Sequence, residues 1–478
     1  MTDKKSAQII KKIDGLLYSN VFPALVSVFV FLVFALKIQP IGLAVLVILA
    51  LYILVRNRDI SPLIPLVFSF VCMFRDFEAL KHPTLYITLA PFILALVYHF
   101  IRFPLKKLYL GKLFFPFFIV SLALFLGGLL SPYINLYPYG LLYAITVGPL
   151  LWFAYFLFRN YIDPPNDFNL KSYLAISVIS SVTAMCLTCF LVFVENIENT
   201  DILVFNISIG YANLNNIGAA ILLAVPFCYY MLIKTNHIIT SYIFIVFFTF
   251  TIITIHCDGG SGVLLFNLPF LTAFTYLRLK KELRRKFLIV TFLIILAVSV
   301  FMLILTLTKD YEFFEQYVFS RLNENGRQPL YDKAIKVFKE SPVFGAGLGY
   351  SDTGIYGDYS PINDNLRNFN FHSTFFHVLG TMGIFGIVAY FIYFYKRYQI
   401  ICGSNSDFNL FVFFAFSIFE SYGFIDTCEF IIVPCMLTLT IILTVTEIEN
   451  AKPQKFNGRI NAYYKTPRAT KLLREEFC

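Results

Sequence analysis

Charge is scarce in this chain. Of its 478 residues 14% are Asp, Glu, Lys or Arg and 58% are hydrophobic, where soluble domains carry about 25% charged residues. That balance excludes a soluble globular fold and leaves a protein of many membrane spans. Tryptophan is nearly missing, one residue beside 30 Tyr and 56 Phe, so any aromatic belt at a membrane interface falls to tyrosine. No cleavable signal segment is visible, because Lys4, Lys5, Lys11 and Lys12 precede an apolar run of full spanning length. The nine cysteines make no disulfide framework: Cys186 and Cys189 have C-x-x-C spacing but lie mid-run, where small buried apolar residues are expected rather than redox or metal ligands. Cys257 and Cys428 share a predicted face, the one pair for which a bridge is conceivable. There is no internal repeat and no low-complexity segment. The net charge of +9 does not point to nucleic acid, because the excess is spread over loops and a tail.

Runs of roughly 17 to 25 apolar residues can cross a bilayer as helices. Candidate spans fall at 22–38, 40–55, 62–74, 83–101, 113–130, 139–158, 172–194, 214–233, 238–255, 262–278, 287–308, 372–395, 408–425 and 429–447. The expected fold is therefore an all-α polytopic membrane protein of about 14 transmembrane helices, or 12 if the short second and third runs form a re-entrant pair. With the N-terminus (residues 1–21) inside, the short outside loops hold only Lys37, Arg75 and Lys81, and Lys396 and Arg397 fall in an inside loop. This asymmetry puts both termini in the cytoplasm. It also puts the one large loop, Lys309 to Phe371 between the eleventh and twelfth spans, on the extracytoplasmic face. The basic tail from Lys452 to Arg474 reads as a cytoplasmic arm, solvated or lying on anionic membrane lipid.

Chemistry-bearing residues gather near that outer face. The stretch YANLNNIGAA sets Asn213, Asn215 and Asn216 where an outside-to-inside helix begins; they either cap it or form, with its free N–H groups, one wall of an anion site. HCDGGSG at 256–262 reads as a tight turn, and Arg75, Asp76 and Glu78 as a solvated charge cluster. In the large loop, Arg321 and Arg327 suit a bidentate grip on phosphate oxygens. Behind them Leu330, Tyr331, Ala334, Ile335 and Phe338 fall on one face of a predicted helix from Pro329 to Glu340, with Lys333, Lys336 and Lys339 on the other, the pattern of a helix lying on the membrane surface. Gly345, Gly347 and Gly349 allow a sharp turn or close approach to a ligand, but no G-K-[ST] follows and a nucleotide loop is rejected. His372 opens the twelfth span, where a helix N-terminus favours the neutral imidazole a general base needs; His377, one turn deeper, is its competitor. Glu420 lies inside the thirteenth span, roughly 7 to 8 Å below its outer end by helical rise. It is a functional candidate by its depth, or a partner for a loop arginine.

The run NGRQPLYDKAIKVFKESPVFGAGLGY followed by HSTFFHVLGTMGIFG resembles the shared C-terminal region of the O-antigen ligase and O-antigen polymerase family of bacterial membrane glycosyltransferases. The resemblance covers about residues 205 to 430, including the GYANLNNIGAA stretch. It implies transfer of a glycan from an undecaprenyl-diphosphate-linked oligosaccharide donor to a glycan or glycolipid acceptor at the outer face of the bacterial cytoplasmic membrane, with no metal and no cofactor. By resemblance Arg327, with Arg321, would hold the diphosphate and His372 would activate the acceptor hydroxyl. Asn213, Asn216 and Glu420 complete the expected substrate-binding set. The chain departs from the family at Gly260-Ser261-Gly262, where members often carry Ser-Arg-Gly.

An outward site without nucleotide sugars needs a donor already carried across the membrane, which agrees with a lipid-linked glycan. Polymerase is preferred over ligase, because nothing points to a lipid A core acceptor. The competing class is a transporter or flippase of lipid-linked oligosaccharide, which the span number fits but which needs no large outer loop with an amphipathic helix.

Overall fold

The computed structural model describes residues 2–75, 83–131, 139–195, 209–210, 214–255, 257–307, 328–347, 371–430 and 433–452. Among these the chain forms sixteen α-helices, one 3-10 turn and no strand. They are α1 (Thr2–Leu17), α2 (Val21–Ala35), α3 (Gln39–Arg56), α4 (Leu63–Ser69, continued by the 3-10 turn Phe70–Met73), α5 (Pro83–Arg102), α6 (Phe114–Leu129), α7 (Tyr139–Tyr161) and α8 (Leu170–Glu195). Then follow α9 (Leu214–Thr235), α10 (Ile238–Thr254), α11 (Asp258–Arg278), α12 (Lys281–Leu307), α13 (Gln328–Glu340), α14 (Thr374–Ile401), α15 (Asp407–Gly423) and α16 (Val433–Ala451). Every apolar run read from the sequence overlaps one of these helices. Among the described residues six helices are long and apolar enough to cross a membrane, α3, α8, α9, most of α11, α14 and α16, and a seventh arises if the bent pair α1–α2 is one span.

The second run is a full-length helix, whereas the third, Leu63–Met73, reaches roughly half the length a crossing needs. It is buried along nearly its whole length against α2 and α8. The N-terminal segment is helical too: α1 turns 88° away from α2. Asp14 fastens it, accepting from the Tyr52 hydroxyl at 3.1 Å and lying 3.7 Å from Arg56 Nε.

The bundle is organised on α9. A helix apolar all round must be enclosed, and α9 is buried continuously from Asn216 to Tyr230, packed by α8, α10, α11, α15 and α16. Around it α6 pairs with α7 and α14, α3 with α5, and α2 with α8. Pro91, Pro149, Pro226 and Pro269 sit inside helices, where neighbouring helices make the missing backbone bond tolerable.

Two sequence expectations change. HCDGGSG is not a turn but, from Asp258, the first turn of α11, with His256 outside the described residues. The absent side chains of Gly218 and Gly260 leave room for Cys257 Sγ, 2.3 and 2.7 Å from where their Cβ atoms would sit, so α9 and α11 close on this cysteine. Arg75 is not in a solvated cluster. Its guanidinium donates two hydrogen bonds to the Glu195 carboxylate (2.7 and 2.9 Å) over the Phe34 ring, tying α2 to the end of α8; Asp76 and Glu78 lie outside the described residues. Cys257 and Cys428 are both buried and form no disulfide, and the same holds for Cys186 and Cys189.

Candidate active site

His372 stands directly ahead of α14. Its backbone is left-handed (φ 44°), a conformation sparse for residues other than glycine and concentrated at functional sites. Ser373 then runs extended and Thr374 begins the helix. The carbonyl of His372 accepts from the Tyr331 hydroxyl of α13 at 3.3 Å, and Tyr331 stacks on Phe376 with ring centroids 4.5 Å apart. Nδ1 of the imidazole is buried 3.3 Å from Asp426 Oδ1, near it but without a hydrogen bond of good geometry, while 28% of the side chain is exposed.

Asp426 belongs to the connection between α15 and α16. Its Oδ1 also accepts the Thr427 N–H at 2.7 Å, and its Oδ2 lies 3.2 Å from the Tyr422 hydroxyl. That hydroxyl is in turn 3.3 Å from the Asn215 carbonyl and 3.4 Å from Cys257 Sγ. The first turns of α9, α11 and α14 thus meet at the end of α15. A helix start carries free N–H groups and partial positive charge, so this is favourable ground for an anion. Among the described residues no group of three or more His, Cys, Asp and Glu side chains is arranged to hold a metal.

The sequence-predicted residues separate as follows. His372 and the start of α9 come together through Tyr422 and Asp426. Asn216 is buried in the first turn of α9, where its carbonyl lies 4.0 Å from Cys435 Sγ. Arg327, Arg321, Asn213 and Gly349 lie outside the described residues. His377 is fully buried one turn into α14 with neither ring nitrogen bonded.

The predicted amphipathic helix is present as α13, but it is docked rather than lying free. Ala334 and Val337 are buried with Phe371 and Ala346 in a small core of their own, with Phe376 packed on it, while Ile335 is exposed. The G-x-G segment behind it approaches backbone, not an open pocket. Ala346 N–H and Gly347 N–H donate to the carbonyls of Gly380 and Thr381, both at 2.9 Å, and Ile384 and Phe385 N–H donate back to Pro342 and Val343. This pairing is possible because α14 breaks at Gly383 (φ 64°, ψ −158°), which frees those groups from helical bonds. Ser131 Oγ closes the joint on the Ala346 carbonyl at 2.5 Å.

Glu420 meets an arginine the sequence reading placed elsewhere. Arg397, expected in an inside loop, is fully buried within α14. Its NH1 bonds Glu429 Oε1 and its NH2 bonds Glu420 Oε1, while the Tyr390 hydroxyl donates to Glu420 Oε2 at 3.0 Å. Tyr393, Phe394 and Phe416 enclose the guanidinium, with ring centroids 4.9, 5.1 and 5.4 Å away. Position near the end of an apolar run made Arg397 look like a flanking loop charge; the available signal was Glu420, Asp426 and Glu429 within one otherwise apolar stretch, acids that need a cation.

Residues 243–391 match the family model described as O-antigen ligase. The match contains His372, α13 and the broken part of α14 and ends before Arg397, Glu420, Asp426 and Glu429. It supports the O-antigen ligase and polymerase family, and with the spanning helices it supports an O-antigen ligase-type membrane enzyme of bacteria that takes part in polysaccharide biosynthesis. A search of curated proteins gave no match.

Proposed function

We propose that this chain is a glycosyltransferase of the bacterial cytoplasmic membrane that extends a surface polysaccharide from undecaprenyl-diphosphate-linked glycan at the outer face, as a polymerase in preference to a ligase. The observation that carries the reading is the His372–Asp426 pair: a ring whose Nδ1 stands 3.3 Å from the Asp426 carboxylate while part of its side chain stays exposed, beside three helix starts. In the tautomer that carries its proton on Nδ1, the nitrogen nearest Asp426, Nε2 holds the free lone pair. It takes the proton of the acceptor hydroxyl as that oxygen bonds to the anomeric carbon of the donor sugar. The bond from that carbon to the diphosphate oxygen breaks, and its electron pair leaves on undecaprenyl diphosphate. Asp426 holds the ring's orientation and stabilises the imidazolium until the proton passes to solvent.

Arg327, with Arg321, is proposed to carry the diphosphate charge that grows as the bond breaks; the helix starts at Leu214–Asn216 and Asp258 would add their N–H groups to that grip. Glu420, with both oxygens engaged by Arg397 and Tyr390, is better assigned to holding the site than to binding sugar.

Reconstitution in liposomes with lipid-linked oligosaccharide on the outward side tests this. Longer lipid-linked glycans with release of undecaprenyl diphosphate are expected; transfer to a second, different lipid acceptor instead would make it a ligase. Movement of donor lipid between leaflets without any transfer would replace the enzyme with the transporter reading.

A further inference from the structure

The short connection between α15 and α16 carries two acids with different neighbours. Asp426 faces His372, and three residues later Glu429, 1% exposed, is bound by Arg397. Between them the Cys428 N–H donates to Thr374 Oγ1 at 3.3 Å, in the first turn of α14. One helix therefore holds this connection at two places, Thr374 before the break at Gly383 and Arg397 after it. Three rings within 5.4 Å enclose the guanidinium, so its head has no route to water and the grip is fixed.

We propose that Arg397 and Glu429 are positioning residues for His372. By anchoring the connection on the inner half of α14, they keep the Asp426 carboxylate against the imidazole on the outer half. Glu420 completes the anchor, joining Arg397 to α15 and, through Tyr390, back to α14. The assignment rests on reading His372 as the general base. Placing a general base is worth a share of the 10²–10⁴-fold that such a base contributes, and small misplacements are costly to rate.

Glu429→Leu is the informative variant, because Arg397 keeps Glu420 as a one-to-one partner and is not left as an unpaired buried charge. In the liposome assay kcat should fall roughly 10- to 100-fold with the KM for donor unchanged. Glu429→Gln, which keeps an oxygen for the Arg397 N–H, should recover most of that loss. In a His372→Ala background Glu429→Leu should produce no further fall, since the group it positions is gone. Wild-type kcat in Glu429→Leu, a raised donor KM, or an equal fall with and without His372 would each overturn the proposal. Full turnover in His372→Ala alone would overturn the reading of the site instead, whatever Glu429→Leu does.

Discussion

Replacing Gly345 by alanine tests the joint that carries the candidate base. Gly345 has φ 73°, and a Cβ there would sit 2.3 Å from the Thr381 carbonyl carbon and 2.4 Å from the Met382 nitrogen. These are backbone atoms and cannot rotate away. Left-handed backbone costs alanine about 1–2 kcal/mol. Moving the loop off α14 also strains the bonds from Ala346 and Gly347 N–H to Gly380 and Thr381, each worth about 0.5–1.5 kcal/mol net. The local loss is then about 2–5 kcal/mol, and amides of 341–347 and 374–382 should exchange with solvent roughly 30-fold faster or more. Gly262→Ala, in α11 with nothing within 4 Å of the added carbon, serves as the control and should be neutral or gain up to about 1 kcal/mol. Hydrogen exchange by mass spectrometry on the reconstituted protein reads both. If Gly345→Ala exchanged like wild type in both segments, the loop would not be held by this contact and the reasoning would fail.

Arg397→Met should destabilise the fold by about 3–5 kcal/mol by stranding two buried carboxylates, seen as an early thermal transition in detergent; adding Glu420→Gln and Glu429→Gln should restore most of it, and an unchanged single variant would refute the pairing. His372→Ala should lower kcat about 10²–10⁴-fold with donor still bound, checked by turnover alongside donor binding; retained turnover would move the base to His377 or another group. Arg327→Ala should abolish transfer while membrane insertion stays intact, and near-normal activity in that variant would remove its diphosphate role.

The helices were legible because burial in lipid or in a bundle writes long apolar runs into a sequence, and each run coincides with a helix. Their fate was less legible. Leu63–Met73 is as apolar as its neighbours but short, and α1 is too polar to resemble a span. His372 could be found because it stands at a polar-to-apolar boundary. Its partner Asp426 could not, since an acid after a helix end looks like any loop residue, and the pair is distant in sequence and brought together only by folding. Arg397 was hidden for the converse reason, as a cation flanking an apolar run is ordinary until two distant acids are brought to it. Gly345 and Gly347 were expected to allow a sharp turn or a close approach to a ligand; what this segment approaches is a helix's own carbonyls.

The small core of Ala334, Val337, Ala346 and Phe371 is separate from the large one that fills the bundle. Two cores can open at different free energies. A purified sample can keep its bundle, its size and its helical signal in detergent while α13 and the start of α14 have already come apart. A sharp elution peak is thus no certificate of a working preparation, and detergents are better ranked by protection of the 328–347 amides or by turnover than by monodispersity.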